Sequence, residues 1–179
     1  SAGPHLFEQT VDALEALPLA TVCRMQGSVY GGATDLALAC DFRIGVDTMK
    51  LRMPAVRLGL HYYPSGLRRY VTRLGPSAAK RLFLLAEEVG ADELLRLGYL
   101  GRMARPDRLD AEVDQVVDAL QAGAPLALRG MKQSLDEIAR GEYHLSALRE
   151  REARCAASDY LREGKAAMAE KRAPRFNGR

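Results

Sequence analysis

The stretch Gln26-Gly27-Ser28-Val29-Tyr30-Gly31-Gly32-Ala33-Thr34-Asp35-Leu36-Ala37-Leu38-Ala39-Cys40-Asp41 gathers residue types that can do chemistry. Leu19 to Met25 before it reads as a buried strand, and the small and apolar residues from Gly32 to Cys40 read as a buried helix. Two adjacent glycines at that junction let a ligand approach the backbone closely. The helix start leaves N–H groups without internal partners at the positive end of the dipole. Such groups suit a developing oxyanion better than a neutral carbonyl. The same pair also fits a tight turn in which glycine only serves φ > 0. Asp35, three residues after Gly32, turns toward the side of the glycine N–H groups. It is expected to lie among Leu36, Leu38 and Val29, where desolvation raises its pKa and the helix N-terminus lowers it. Burial is expected to prevail, leaving a carboxylate near pH 7 that can accept a proton from carbon. In the alternative reading Asp35 is a first-turn acid that only complements the dipole.

The elements that must position these groups follow from periodicity. Leu6, Thr10, Val11, Leu14 and Leu17 keep helical spacing up to Pro18. Asp41 to Val46 alternates as a second strand, and Lys50 to Met53 reads as a third. Pro64 to Arg73 and Pro76 to Ala86 each open a helix with proline, which a first helical turn tolerates. Ala91 to Leu97 is a short helix ended by Gly98, and Tyr99 to Met103 a short strand. From Leu109 onward the pattern is helical, over 109–122, 125–140, 144–159 and 160–172. Strand and helix alternate in the first hundred residues, which predicts a parallel-rich α/β sheet, yet with too few strands to complete one.

The 179 residues suffice for one domain with a real core. With 47% hydrophobic and 27% charged residues, the chain is neither disordered nor a disulfide scaffold. No apolar run approaches the ~20 residues of a membrane helix, and no signal peptide is expected. A soluble, cytoplasmic protein with no membrane partner is expected. The net charge of +3 is mild and dispersed, which disfavours nucleic acid as a partner. His5, His61 and His144 make no metal-ligand spacing, so no metal is expected. Cys23, Cys40 and Cys155 carry no CxxC spacing and read as buried reduced thiols.

The pattern Gly-x-x-x-Gly-Gly-x-x-acid-Leu-x-x-x-Cys-Asp followed by a strand resembles the crotonase superfamily, whose members include enoyl-CoA hydratases and isomerases. Met53-Pro54 with Leu58-Gly59-Leu60 is similar to the family's Pro-Glu-x-x-x-Gly segment, and Arg69 to Gly75 to its Arg-Leu-x-x-x-x-Gly helix. Ala91 to Leu100 resembles its Ala-x-x-Ala-x-x-x-Gly-Leu-Val turn, and Glu170 to Phe176 its Glu-Lys-Arg-x-Pro-x-Phe ending. The resemblance covers about residues 17–179 in the family's order. It implies a spiral of ββα units over residues 1–108 and a C-terminal helical trimerisation region over 109–179. Members of the family run longer, so it also implies that roughly the first third of the fold is missing here.

Carried over by position, the resemblance makes the Gly32 N–H one arm of an oxyanion hole, with Gly31 beside it in the substrate site. Ser1-Ala2-Gly3 resembles the end of the family's first oxyanion motif, which would make the Ala2 N–H the other arm. Pro4-His5 does not continue that motif, so either a loop is left out there or the three residues are a tag remnant. Asp35 stands where hydratases carry their first catalytic glutamate. Ala55 stands where they carry the second, and without two acids ordinary hydration is disfavoured. His61-Tyr62-Tyr63-Pro64-Ser65-Gly66 borders the acyl group instead. His61 is a candidate base, and Tyr62 and Tyr63 are candidate donors to substrate, although these rings equally suit packing over a helix end. Arg57, Arg68 and Arg69 are candidate phosphate contacts or solvated ion pairs. Lys171 and Phe176 resemble the CoA-contacting tail, or else pack a terminal helix.

The expected function is therefore an acyl-CoA-processing enzyme that stabilises a thioester enolate, isomerase- or hydrolase-like rather than hydrating. Coenzyme A enters only as part of the substrate, with no other cofactor, and self-association as a homotrimer or hexamer is implied. The alternative is a CoA-binding or assembly protein of the same fold that has lost catalysis.

Overall fold

The computed structural model describes residues 4–177. These divide into two compact units, one of residues 4–17 and Thr21–Gln115, the other of Pro18–Ala20 and the residues from Val116 onward.

The first unit holds two three-stranded sheets. In one, β1 (Val22–Met25), β3 (Phe42–Val46) and β6 (Arg102–Ala104) lie parallel in the order β1-β3-β6, with Val22 opposite Phe42 and Ile44 opposite Arg102. The central strand buries four consecutive residues, Arg43 to Val46, as a strand covered on both faces must. The other sheet has the order β2 (Val29–Tyr30), β4 (Lys50–Arg52), β5 (Val89–Gly90), with β2 parallel and β5 antiparallel to β4. The expected third strand thus exists, but in a second sheet. Two-residue strands such as β2 and β5 are too short to show a period of two, so their pairing with β4 left no trace in the pattern.

Helix α1 (Pro4–Glu15) packs against α2 (Gly32–Leu38) and α3 (Pro64–Leu74). The helix read from Pro76 is broken: α4 (Pro76–Lys80) continues as a π-helical turn at Arg81–Leu85, which ends at Ala86 with φ 51°. After β5, α5 (Ala91–Arg96) precedes β6. Helix α6 (Leu109–Gln121) runs from the first unit into the second, which carries α7 (Pro125–Arg140), α8 (Leu145–Ala156) and α9 (Asp159–Ala169). Arg151 of α8 ties to α7 through Glu137 at 2.7 Å and Ser134 at 3.0 Å. No described helix is long and apolar enough to cross a membrane. Of the cysteines, Cys40 is buried, whereas Cys23 and Cys155 are only half-buried.

Candidate active site

The site is built on α2, and the chain holds that short helix at both ends and in the middle. β2 leads directly into it through Gly31, whose φ of 57° with ψ of −131° suits glycine. The Gly31 N–H donates to the Arg52 carbonyl at 3.0 Å, so the turn is stitched to β4. Gly32, Ala33 and Thr34 supply the first-turn N–H groups, of which Thr34 donates to the Gly31 carbonyl. The Thr34 hydroxyl bonds to Tyr70, and the Tyr99 hydroxyl donates to the Thr34 carbonyl at 2.7 Å. At the far end Arg73 donates to the carbonyls of Leu38 and Cys40 at 2.6 and 2.7 Å, and Arg43 joins it on Cys40 at 2.5 Å. Cations at a helix C-terminus complement its dipole.

Asp35 is fully buried in the middle of this helix. Its Oδ2 accepts from Arg69 Nη1 at 2.7 Å and from the Tyr63 hydroxyl at 2.6 Å. Its Oδ1 is buried with no hydrogen-bond partner among the described residues. The expected neighbour Leu36 instead turns outward and is exposed. Burial raises the Asp35 pKa above the usual aspartate value; Arg69 and the Tyr63 hydrogen bond oppose that rise without cancelling it. The expected direction of shift holds, and a buried guanidinium that the sequence pattern did not reveal limits its size.

Arg69 is as buried as Asp35. Besides Asp35 it binds Asp12 at 2.6 Å and Glu15 at 3.2 Å, both from α1. Glu15 also receives Arg68 at 2.9 Å and Arg73 at 3.2 Å. Three guanidinium groups thus meet three carboxylates. Burial works to raise the Glu15 pKa, but Arg69, Arg68 and Arg73 together hold it below the usual glutamate range. A phosphate-contacting role for Arg69 is excluded by this burial, because its donors are spent on carboxylates. Arg68 is likewise engaged, while Arg57 donates to the Leu85 carbonyl at 3.3 Å.

The Tyr62-Tyr63 pair covers the start of α3. Their rings stack at 4.2 Å, and Phe7 of α1 meets Tyr63 edge-on at 6.1 Å. Gly66 permits this packing, since a Cβ there would lie 2.6 Å from the Tyr62 ring and 2.7 Å from that of Tyr63. The Tyr62 hydroxyl donates to that of Tyr63 at 3.1 Å, which completes a chain of hydroxyls ending on Asp35. Burial pushes the Tyr62 phenol up to about 12, and burial with the Asp35 hydrogen bond raises Tyr63 too, so both stay protonated donors near neutrality. Glu8 of α1 accepts the Ser65 N–H at 3.3 Å and its hydroxyl at 2.9 Å, capping α3 from outside.

Of the residues singled out in the sequence, Gly31, Gly32, Asp35, Tyr62 and Tyr63 come together. Phe7 lies against Gly32, its ring 3.0 Å from where a Cβ would stand. His61 is exposed, with Nδ1 2.9 Å from the Tyr62 carbonyl oxygen and no hydrogen bond to Asp35. Ala55 is buried at the head of a 3₁₀ turn (Ala55–Leu58) and brings no carboxylate. Ala2 lies outside the described residues. Lys171 and Phe176 belong to the second unit, where Lys171 has φ 53° and Phe176 packs edge-on against Tyr160 at 5.6 Å. Sequence reasoning missed Asp12, Glu15 and the true partner of Arg69. One signal was available: Glu15 falls four residues after the buried Val11, on the same helix face.

Comparisons with known proteins agree with this architecture. The profile of the enoyl-CoA hydratase/isomerase family matches residues 5–179. A crotonyl-CoA hydratase of Syntrophomonas wolfei is 30% identical over 173 residues, covering 96% of this chain and 66% of its own length. An enoyl-CoA isomerase/hydratase of Mycosarcoma maydis is 32% identical over 143 residues, covering 76% of this chain and 51% of its own. The crystal structure of an enoyl-CoA hydratase subunit from Geobacillus kaustophilus superposes with a TM-score of 0.86 at 28% identity, covering 98% of this chain and 68% of that one. The chain therefore spans about half to two-thirds of the length of the curated relatives it matches.

Proposed function

The chain belongs to the enoyl-CoA hydratase/isomerase family, and from that premise we propose that it carries out proton transfer at the acyl carbons of an acyl-CoA thioester. The observation that carries this reading is the bare, buried Oδ1 of Asp35, three residues after Gly32. Removing a proton beside a thioester carbonyl puts negative charge on its oxygen. The Gly32 N–H at the head of α2 is the donor suited to that oxygen, because it meets charge that develops only as the proton leaves. The Gly31 N–H is already used by Arg52, so Gly31 shapes the turn rather than donating to substrate. Asp35 Oδ1 takes the proton and can return it to another carbon of the same acyl group. A carboxyl with a pKa raised by burial is suited to both steps.

Hydration of a double bond is the weaker option, because Ala55 supplies no second carboxylate to orient water. Isomerisation or hydrolysis therefore exceeds hydration in this proposal. Lys171 and Phe176 are proposed to meet the CoA moiety. The exposed stripe Met131, Leu135 and Ile138 on α7, with Leu145 on α8, supports self-association as a homotrimer or hexamer. The second reading, a CoA-binding protein without turnover, is favoured by the ion pair that commits Asp35 to Arg69.

The test uses 3-butenoyl-CoA and crotonyl-CoA with the wild type, Asp35→Asn and Ala55→Glu, followed through the absorbance of the conjugated thioester. Isomerisation faster than hydration, with a loss of about 10²-fold or more in Asp35→Asn, is expected. Binding without turnover selects the second reading. Full activity in Asp35→Asn overturns the role of Asp35, and brisk hydration by the wild type overturns the argument from Ala55.

A further inference from the structure

We propose that Tyr63 is a positioning residue for Asp35: with Arg69 it commits Oδ2 to the protein, leaving Oδ1 as the oxygen that exchanges a proton with substrate. The proposal rests on the reading of Asp35 as the acid/base. A free carboxylate has two equivalent oxygens, and rotation about its Cβ–Cγ bond exchanges them. Here two charge-assisted hydrogen bonds, at 2.6 Å from Tyr63 and 2.7 Å from Arg69, fall on the same oxygen. Turning the carboxylate over would break both bonds inside a buried site. Oδ1 lacks any such partner among the described residues, which is costly unless another group uses it.

Tyr63 is itself held for this task. Its ring is fixed by stacking on Tyr62 and by the edge of Phe7, and its oxygen receives the Tyr62 hydroxyl at 3.1 Å. Asp35 faces Arg69 and Tyr70 from α3, Glu15 and, across Arg69, Asp12 from α1, Tyr62 and Tyr63 before α3, and Tyr99 before β6. The Arg69 cation is shared with Asp12 and Glu15, and Glu15 is shared in turn with Arg68 and Arg73. Tyr63 is different: it is a neutral donor whose proton goes to Asp35, so deleting its hydroxyl removes that hydrogen bond and the weaker one it accepts from Tyr62, with no change of net charge. Its hydrogen bond favours the ionised carboxylate, and its loss raises the pKa of Asp35 further.

The experiment compares wild type, Tyr63→Phe and Tyr62→Phe by the pH dependence of kcat/KM on 3-butenoyl-CoA. The Asp35 carboxyl is titrated in parallel by carbon-13 NMR without substrate. Phenylalanine keeps the stacked ring, so both variants are expected to fold. In Tyr63→Phe the acid limb and the carboxyl titration should both move up by about one pH unit, the size of one hydrogen bond to a charged group. Tyr62→Phe should move them less. An unchanged titration with a raised KM makes Tyr63 a substrate contact and overturns the proposal, as does an unchanged titration with unchanged kinetics. If Asp35→Asn keeps its activity, the acid/base reading fails by itself, while the NMR titration still decides whether Tyr63 governs Asp35.

Discussion

Two sets of arginines, one in each unit, are used in opposite ways. In the first, Arg69 is sunk in the core among Asp12, Glu15 and Asp35, and its loss would strand carboxylates away from water. In the second, Arg149 meets Glu152 at 2.6 Å with both side chains more than half exposed, and Arg154 and Arg162 form similar helical pairs. The bonds share one chemistry and overlap in length. Burial separates them: exposed pairs compete with water and salt, while removing one partner of a buried pair leaves the other charge unpaired away from water. The buried cluster fixes the carboxylate proposed to do chemistry, whereas the exposed pairs only dress helices.

The largest expected effect breaks the buried side of this contrast. Arg69→Met keeps the bulk and removes the cation, so denaturation should show a loss of about 3–5 kcal/mol. A loss as small as that at a surface site would erase the distinction. A smaller effect sharpens the picture within the cluster. The Asp35 pKa is raised by burial, so its contribution to stability is present at low pH and lost as pH rises through its folded value. The Glu15 pKa is lowered by its three arginines, so its contribution is present above the unfolded value and lost as pH falls. Urea denaturation should therefore show Asp35→Asn gaining on the wild type as pH rises from about 4.5 to about 8, and the advantage of the wild type over Glu15→Gln shrinking as pH falls below about 4.5. Parallel slopes would mean that the two acids do not differ as the geometry says. The smallest effect belongs to Glu163. Arg172 and the Arg175 N–H pull its pKa down to about 2, yet the pair stays within reach of water, with side chains 36% and 25% exposed. Glu163→Gln should leave the denaturation midpoint unchanged near neutral pH, and a clear drop would put surface and core pairs on one footing.

Much of the fold was legible because its signals are local. Pro125 opens α7, Gly141 closes it with φ 71°, and the 125–140 reading coincides with the observed helix. The start of α2 at Gly32 follows from a strand, two glycines and a small-residue helix. What the pattern could not carry was depth. Nothing local tells Arg69, which is buried, from Arg68 one residue away, which is partly exposed. That difference arises when α1 packs on α3, a contact between residues more than fifty positions apart. Leu36 was expected beside Asp35 for the converse reason: an apolar residue on a short helix was assumed to face inward, and it faces out. The Tyr62-Tyr63 pair was visible, but its hydroxyl chain to Asp35 depends on how α3 meets α2.

The central claim, that Asp35 accepts a proton from the carbon beside a thioester, is tested most directly without choosing a reaction. Butanoyl-CoA has no double bond to hydrate or move, yet its C2 protons can exchange with solvent if the site forms an enolate. In D2O, NMR should show the wild type carrying deuterium into C2 well above the uncatalysed rate. Asp35→Asn should lower that rate by about 10²-fold or more. Equal exchange in the two proteins, in the presence of bound butanoyl-CoA, would contradict the account.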